Sequence, residues 1–265
     1  MKYVILIQKV FEFSMKSQYD LIYLSPHLDD AALSCGGQIA RFRGEGRSVL
    51  IVTVTAGDPP TGAESRYIQE LHTRWELEQD AVAARRAEDI AACQILGADW
   101  LHLTVPDCIY RFDPQSGEPL YQSDPDIFGD VHVAESGLVQ ALVARLRSLP
   151  PAGQVIAPLT VGHHVDHLLT RSAAEEVWSA RLRYYEDYPY AQKSGAVEGL
   201  IAQQAAQWSS EVIELSELEL QQKIEAIAAF KSQLSTFWKS RAELERQVTG
   251  FAQQRGGEKI WVPAG

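Results

Sequence analysis

Short apolar runs alternate along the chain with longer stretches in which apolar positions return every three to four residues. This alternation predicts an α/β fold with a mainly parallel sheet. The first strand is expected over residues 20–24 (DLIYL). SPHLDD follows at once, then a helical stretch that places Leu33, Gly36, Gly37 and Ala40 on one face and ends at Gly44-Glu45-Gly46. Residues 48–55 (SVLIVTVT) are almost continuously apolar, as in a strand covered on both faces. A polar loop, AGDPPTG, leads to a long helical region with Ala83, Ala87, Ile90 and Ala91 at helical spacing and Gly97 at the C-cap position. A third strand is expected over 100–105, and a long Asp-, Pro- and Gly-rich loop, of a length often tied to function, over 106–134. A helix bearing Leu138, Leu142 and Leu146 stops before Pro150-Pro151, and residues 154–157 form a short strand. GHHVDH then opens a helix carrying Leu169, Ala173 and Val177, and 182–185 is a further strand. Ser216 with Glu219 makes a capping box ahead of Leu220, Ile224, Ile227 and Ala228. The pattern after Gly250 assigns no element.

Composition narrows the class. With 265 residues, 46% hydrophobic and 22% charged, the chain fits a packed protein able to bury roughly 75% of its unfolded surface. Neither disulfides nor a structural metal is needed for stability. Against 24 Lys+Arg stand 35 Asp+Glu, a formal charge of −11, and there is no basic run, so no nucleic-acid partner is expected. No apolar stretch approaches the ~20 residues of a membrane span, so no membrane partner is expected either. Cys35, Cys93 and Cys108 form no C-x-x-C pair and leave at least one thiol unpaired, which suits a reducing compartment. The expected location is cytoplasmic. The apolar stretch from Tyr3 to Ile7 is interrupted by Gln8 and Lys9 and has no small-residue cleavage site, unlike a signal peptide. Met15 is an alternative start. Residues 1–18 are expected to be an N-terminal extension and 19–265 a single domain, with no repeat and no Gly/Ser linker.

In open α/β sheets, ligands bind beyond the carboxyl ends of strands near a topological switch point. The two richest polar clusters fall at such ends: Pro26-His27-Leu28-Asp29-Asp30 after the first strand, and His163-His164-Val165-Asp166-His167 after the 154–157 strand. Either Asp29 or Asp30 could instead cap the following helix. The second cluster is harder to assign to capping, because it holds three of the chain's seven histidines. His27 and Asp30 are three apart, as are His164 and His167, a spacing at which side chains across a loop–helix junction can converge. Two histidines and a carboxylate suit an open metal site, for Zn²⁺ or, with open positions, Fe²⁺. Asp166 could take the second N–H of a ligating histidine or cap its helix. Gly36-Gly37 serve close helix–sheet packing, and no G-x-G-x-x-G follows a strand. Asp58, Pro59, Pro60, Tyr110, Arg111 and Glu186 fall where a cleft rim would lie. Arg111, in DCIYR, either holds an anionic part of a substrate or makes a surface salt bridge. His72, His102 and His132 are read as structural. Trp75, Trp238 and Trp261 either stack on sugar rings or fill the core.

His27-Leu28-Asp29-Asp30 with a downstream His164-x-x-His167 resembles the LmbE/PIG-L family of zinc-dependent N-acetylglucosaminyl deacetylases. SPHLDDAALSCGG resembles the family's first motif, Arg85-x-x-Glu88 with Leu96-Gly97 its second helix, Pro106-Asp107 its post-strand loop, and YYEDYPY a later strand. The resemblance implies a Rossmann-like three-layer sandwich and metal ligands His27, Asp30 and His167. Asp29 would be the general base, His164 the imidazole that polarises the substrate carbonyl, and Arg85 and Asp107 substrate contacts. A metal on Asp30 would divide the adjacent carboxylates into one ligand and one base. The implied partner is a small amino sugar or glycoconjugate, with homo-oligomerisation left open. Leu28 stands where many members have proline and Ala31 where many have glutamate; neither change removes a ligand or the base, and both point to a subgroup with its own substrate. Two alternatives remain at this stage: a metallohydrolase of a non-sugar amide, and a carbohydrate-binding protein that kept the fold and lost turnover.

Overall fold

A computed structural model describes residues 15–74 and 81–264. Residues 1–14 of the expected extension, and Trp75, lie outside the described residues.

The first strand, β1 (Tyr19–Ser25), buries every residue except Asp20. The helix α1 (Asp30–Gly44) follows it, and then β2 (Val49–Thr53), buried throughout. After α2 (Arg66–Arg74) and α3 (Ala81–Leu96), the chain enters β3 (Asp99–His102). Gly97 takes the left-handed conformation (φ +70°) that its C-cap position requires. The expected long loop is broken by α4 (Asp124–Ile127) before α5 (Ser136–Leu146) and β4 (Ala152–Pro158). The order continues with α6 (Val165–Trp178), β5 (Leu182–Tyr185), α7 (Ala196–Ala202) and β6 (Trp208–Ile213). It closes with α8 (Glu217–Ala228), α9 (Lys231–Phe237), α10 (Arg241–Arg255) and β7 (Glu258–Pro263). The capping box of Ser216 and Glu219 begins α8 as expected.

The seven strands form one sheet in the order β3-β2-β1-β4-β5-β7-β6. The first five run parallel, with Leu21 opposite Val49 on one side of β1 and opposite Gln154 on the other. β7 and β6 are antiparallel additions. Alternate residues of β1 feed different layers, as a period of two demands. Leu21 and Tyr23 pack with Ala32, Cys35 and Ile39 of α1 and with Ala92 and Ala226 from α3 and α8. Ile22 and Leu24 pack with Leu142 of α5 and Leu169 and Ala173 of α6. The result is an α/β three-layer sandwich with a mostly parallel sheet.

Past Gly250 the described residues complete α10 and form β7. The apolar signal is thin, a single stripe of Leu244, Val248 and Ala252 on α10. Gly256 (φ +76°) ends that helix, and β7 then slots between β5 and β6. Glu258 anchors it: one carboxylate accepts the Gly37 and Gln38 N–H groups of α1 and pairs with Lys223 Nζ at 2.7 Å, all buried. Among the described residues, no helix is long and apolar enough to cross a membrane.

Candidate active site

β1 and β4 are neighbours, and the helices that follow them leave toward opposite faces of the sheet. The strand order therefore reverses between them, and a crevice opens at their carboxyl ends. A pocket of about 310 Å³ occupies it, and six of the expected site residues line it: His27, Asp29, Asp30, Arg85, Asp107 and His164. His167 is buried behind them.

Local hydrogen bonds set the first cluster. Ser25 Oγ donates to the His27 carbonyl (2.6 Å) and accepts the Ala31 N–H (3.1 Å), so a hydroxyl takes up an orphan donor of α1. Asp29 occupies the N-cap position yet makes no side-chain capping bond. Its carboxylate turns to the pocket instead, 3.7 Å from Arg85 Nη2. The capping reading of Asp29 therefore fails. The second cluster follows a strained turn in which Thr160 and His163 both have positive φ (69° and 62°). His164 then caps α6, its Nδ1 accepting the Asp166 N–H at 3.2 Å. His163 itself is exposed and meets Asp130 at 3.2 Å.

The imidazoles converge on Asp30. Its Oδ2 lies 3.2 Å from His27 Nδ1 and 3.3 Å from His167 Nε2. The far nitrogen of each ring is taken by a buried carboxylate: His27 Nε2 by Asp166 (3.0 Å) and His167 Nδ1 by Asp187 (2.7 Å). An ionised carboxylate only accepts, so those far nitrogens carry the N–H. In the neutral rings, two lone pairs then face the Asp30 oxygen, an arrangement that calls for positive charge between them. Burial opposes protonation of His27, but hydrogen bonds to Asp166 and Asp30 outweigh it and lift the ring well above its ordinary value. Burial likewise opposes it at His167, where Asp30 and Asp187 push the ring up to about 9. A divalent cation meets the same demand. Two imidazoles and one carboxylate, each imidazole backed by a second carboxylate, form a donor set of the transition-metal type. The residues present fit such an ion. His164 is close as well: donor atoms of His27, His164 and His167 lie within 4.8 Å of one another.

Burial, reinforced by the neighbouring Asp30 charge, pushes the Asp29 carboxyl up to about 6 against the pull of Arg85. Burial and the nearby His27 hold His164 well below the usual imidazole range. With Nδ1 accepting from the backbone, the neutral His164 ring carries its proton on Nε2. Asp107 accepts the Ile109 N–H (3.3 Å) and reaches within 3.8 Å of His27 Nε2.

Arg111 stands apart from this pocket. Its guanidinium is buried, with Nε 2.6 Å from Glu135 and Nη1 2.5 Å from Asp166. It lines a different cavity, of about 680 Å³. The expectation that it grips an anionic substrate gains no support here, because two carboxylates already take the charge. Glu186 is not at the rim either; it is buried against Arg255 and the Trp261 indole N–H. Tyr110 is also buried, its hydroxyl 2.6 Å from His72 Nε2. Trp238 packs in a core cluster, and Trp261 packs against another. Pocket residues without a motif signal include Phe128 and Phe237, while Tyr190 closes the YYEDYPY run. Asp187 lies in the same run but is not among the expected site residues, although its place just past β5 satisfies the same strand-end rule.

The family model PIG-L, described as GlcNAc-PI de-N-acetylase, matches residues 22–178. A 2'-N-acetylparomamine deacetylase from Streptomyces fradiae is 26% identical, over 92% of this chain and 89% of that protein. One from Niallia circulans is 28% identical over 65% and 68%. Among solved structures, the zinc-inhibited form of teicoplanin deacetylase Orf2 is 30% identical with a TM-score of 0.75, covering 92% of this chain and 97% of that one. The A40926 pseudoaglycone deacetylase Dbv21 is 28% identical with a TM-score of 0.69, over 92% and 96%.

Proposed function

Because the chain belongs to the PIG-L family, we propose that it removes the N-acetyl group from an amino sugar carried on a small glycoside, using a zinc ion held by His27, Asp30 and His167. The observation that carries this reading is the pair of ring nitrogens turned on Asp30, beside a carboxylate, Asp29, that does no capping work. Relatives named as deacetylases of N-acetylparomamine and teicoplanin support the substrate class.

When bound, the metal acts as a Lewis acid toward the amide carbonyl and brings the pKa of water near 7. Asp29 takes the proton that water loses as its oxygen adds to the carbonyl carbon. As the C–N bond breaks, the same carboxyl returns that proton to the leaving nitrogen, giving a free amine and acetic acid, which then ionises to acetate. Arg85, 3.7 Å from the Asp29 oxygen, draws that carboxylate toward the pocket by charge without a direct hydrogen bond. His164 Nε2–H donates to the carbonyl oxygen as negative charge grows there. Losing one such donor removes roughly 2.7–4 kcal/mol of transition-state stabilisation. His164→Ala is therefore expected to lower kcat about a hundredfold or more with metal content unchanged; loss of the metal would make His164 a ligand instead.

Asp107 and Arg85 would hydrogen-bond sugar hydroxyls, while Phe128 and Tyr190 offer rings to the apolar face of a sugar. The pocket draws on residues from His27 to Phe237, which supports reading 19–265 as one domain. Three free, buried cysteines support a cytoplasmic setting. The test is acetate release from N-acetylated amino glycosides together with metal analysis. Zinc-dependent release on these substrates is expected; turnover that survives exhaustive chelation, or metal binding with no hydrolysis of any such amide, would overturn the proposal.

A further inference from the structure

The geometry points to Arg111 as a positioning residue that acts on the metal site through Asp166, by fixing the orientation of His27. The inference rests on the reading of His27 as a metal ligand. Arg111 never meets the pocket that holds the reacting groups, so its effect must pass through what it touches.

What it touches is a buried chain. Tyr121 donates its hydroxyl to Glu135 Oε2 (2.6 Å), and Glu135 Oε1 lies 2.6 Å from Arg111 Nε. Arg111 Nη1 lies 2.5 Å from Asp166 Oδ1, which leaves Oδ2 to accept the Cys108 N–H (3.1 Å) and to meet His27 Nε2 (3.0 Å). The two oxygens of Asp166 thus have separate tasks: one is held by the guanidinium, the other faces the imidazole. With Oδ1 in a buried ion pair with Nη1 of a rigid, planar guanidinium, turning the carboxylate about its Cβ–Cγ bond would draw that oxygen away from the positive charge. Because Oδ2 stays aimed at Nε2, the N–H of His27 stays there, and the lone pair on Nδ1 stays turned toward Asp30. Glu135 holds Arg111 from behind and keeps the fork from following any movement of Asp166. The arrangement accounts for a buried arginine with two carboxylates so near a site that itself needs positive charge.

Coulomb's law gives the discriminating test. Deleting a positive charge beside a cation site should by itself tighten cation binding. If Arg111 works by orientation, its loss must weaken binding instead. Titration of the metal-free protein with Co²⁺ reports affinity, and the visible absorption bands report the ligand field. Arg111→Met is expected to weaken Co²⁺ binding about 10–100-fold and to shift those bands. Asp166→Asn should do the same, and the double variant should be no worse than the Asp166→Asn single, because both act through one hydrogen bond. Arg111→Lys, which keeps the charge without the fork, should recover only part of the affinity. Should Arg111→Met fail to fold, Glu135→Gln, which loosens the fork while leaving it in place, is expected to shift the bands in the same direction by less. Tighter or unchanged Co²⁺ binding with unshifted bands, in Arg111→Met or in Glu135→Gln, overturns the inference. His27→Ala separates it from the underlying reading: retention of normal Co²⁺ affinity there would refute the ligand assignment, whereas loss there with no change in Arg111→Met would refute only the role of Arg111.

Discussion

Asparagine in place of Asp29 is expected to leave one equivalent of zinc bound while lowering kcat by about two to four orders of magnitude. The amide keeps the shape of the carboxylate but cannot take up a proton. Two features make this substitution clean. Asp29 supplies no capping bond to α1, whose Ala31 N–H is met by Ser25, so the helix start does not depend on it. Its polar neighbour, Arg85, sits 3.7 Å away, so no tight ion pair is broken. Melting temperature and metal content should therefore stay close to those of the unaltered protein. Rates of acetate release, read beside metal analysis, decide the matter. Near-normal turnover would remove Asp29 from the chemistry.

His167→Ala should behave differently, losing the metal and all metal-dependent turnover together. The ring bridges two buried carboxylates, Asp30 through Nε2 and Asp187 through Nδ1. Its removal takes away a donor and leaves both acids without their shared partner, so the metal-free variant should also melt earlier; breaking a buried charged pair from one side commonly costs about 3–5 kcal/mol. Chelation of the unaltered protein should reproduce the loss of activity, and added Zn²⁺ should restore it there but not in the variant. A variant with full metal stoichiometry would mean that the ion is held elsewhere.

Much of this could be read from the chain because the parallel half of the sheet is written in continuous apolar runs. DLIYL and SVLIVTVT have no polar face, and the polar clusters that follow β1 and β4 stand out against them. The convergence of His27 with His164 and His167 required β1 and β4 to be adjacent, which the sequence could only suppose. The second half was less legible for physical reasons. β6 exposes most of its residues, so WSSEVI carries no strand signal. β7 fully buries only two of its six residues and pairs antiparallel with β5 and β6, which precede it in the chain at no regular spacing. Arg111 misled because a charge on a loop looks solvated until its partners are known. Glu135 and Asp166 lie far along the chain and meet it only in three dimensions. Asp29 was ambiguous between capping and chemistry until Ser25 proved to be the residue that satisfies the helix.

The pocket also separates two kinds of residue by origin. The groups turned on Asp30 come from the loop after β1 and from the first turn of α6 after β4, braced by Asp187 past β5. Much of the aromatic wall comes from Phe128 just past α4, from α9 and from the Tyr188–Tyr190 turn. Divergence can therefore reshape what the enzyme accepts by altering segments that contribute nothing to hydrolysis itself. In such a lineage a new acceptor would be met by changes in lining rather than by reinvention of the reaction.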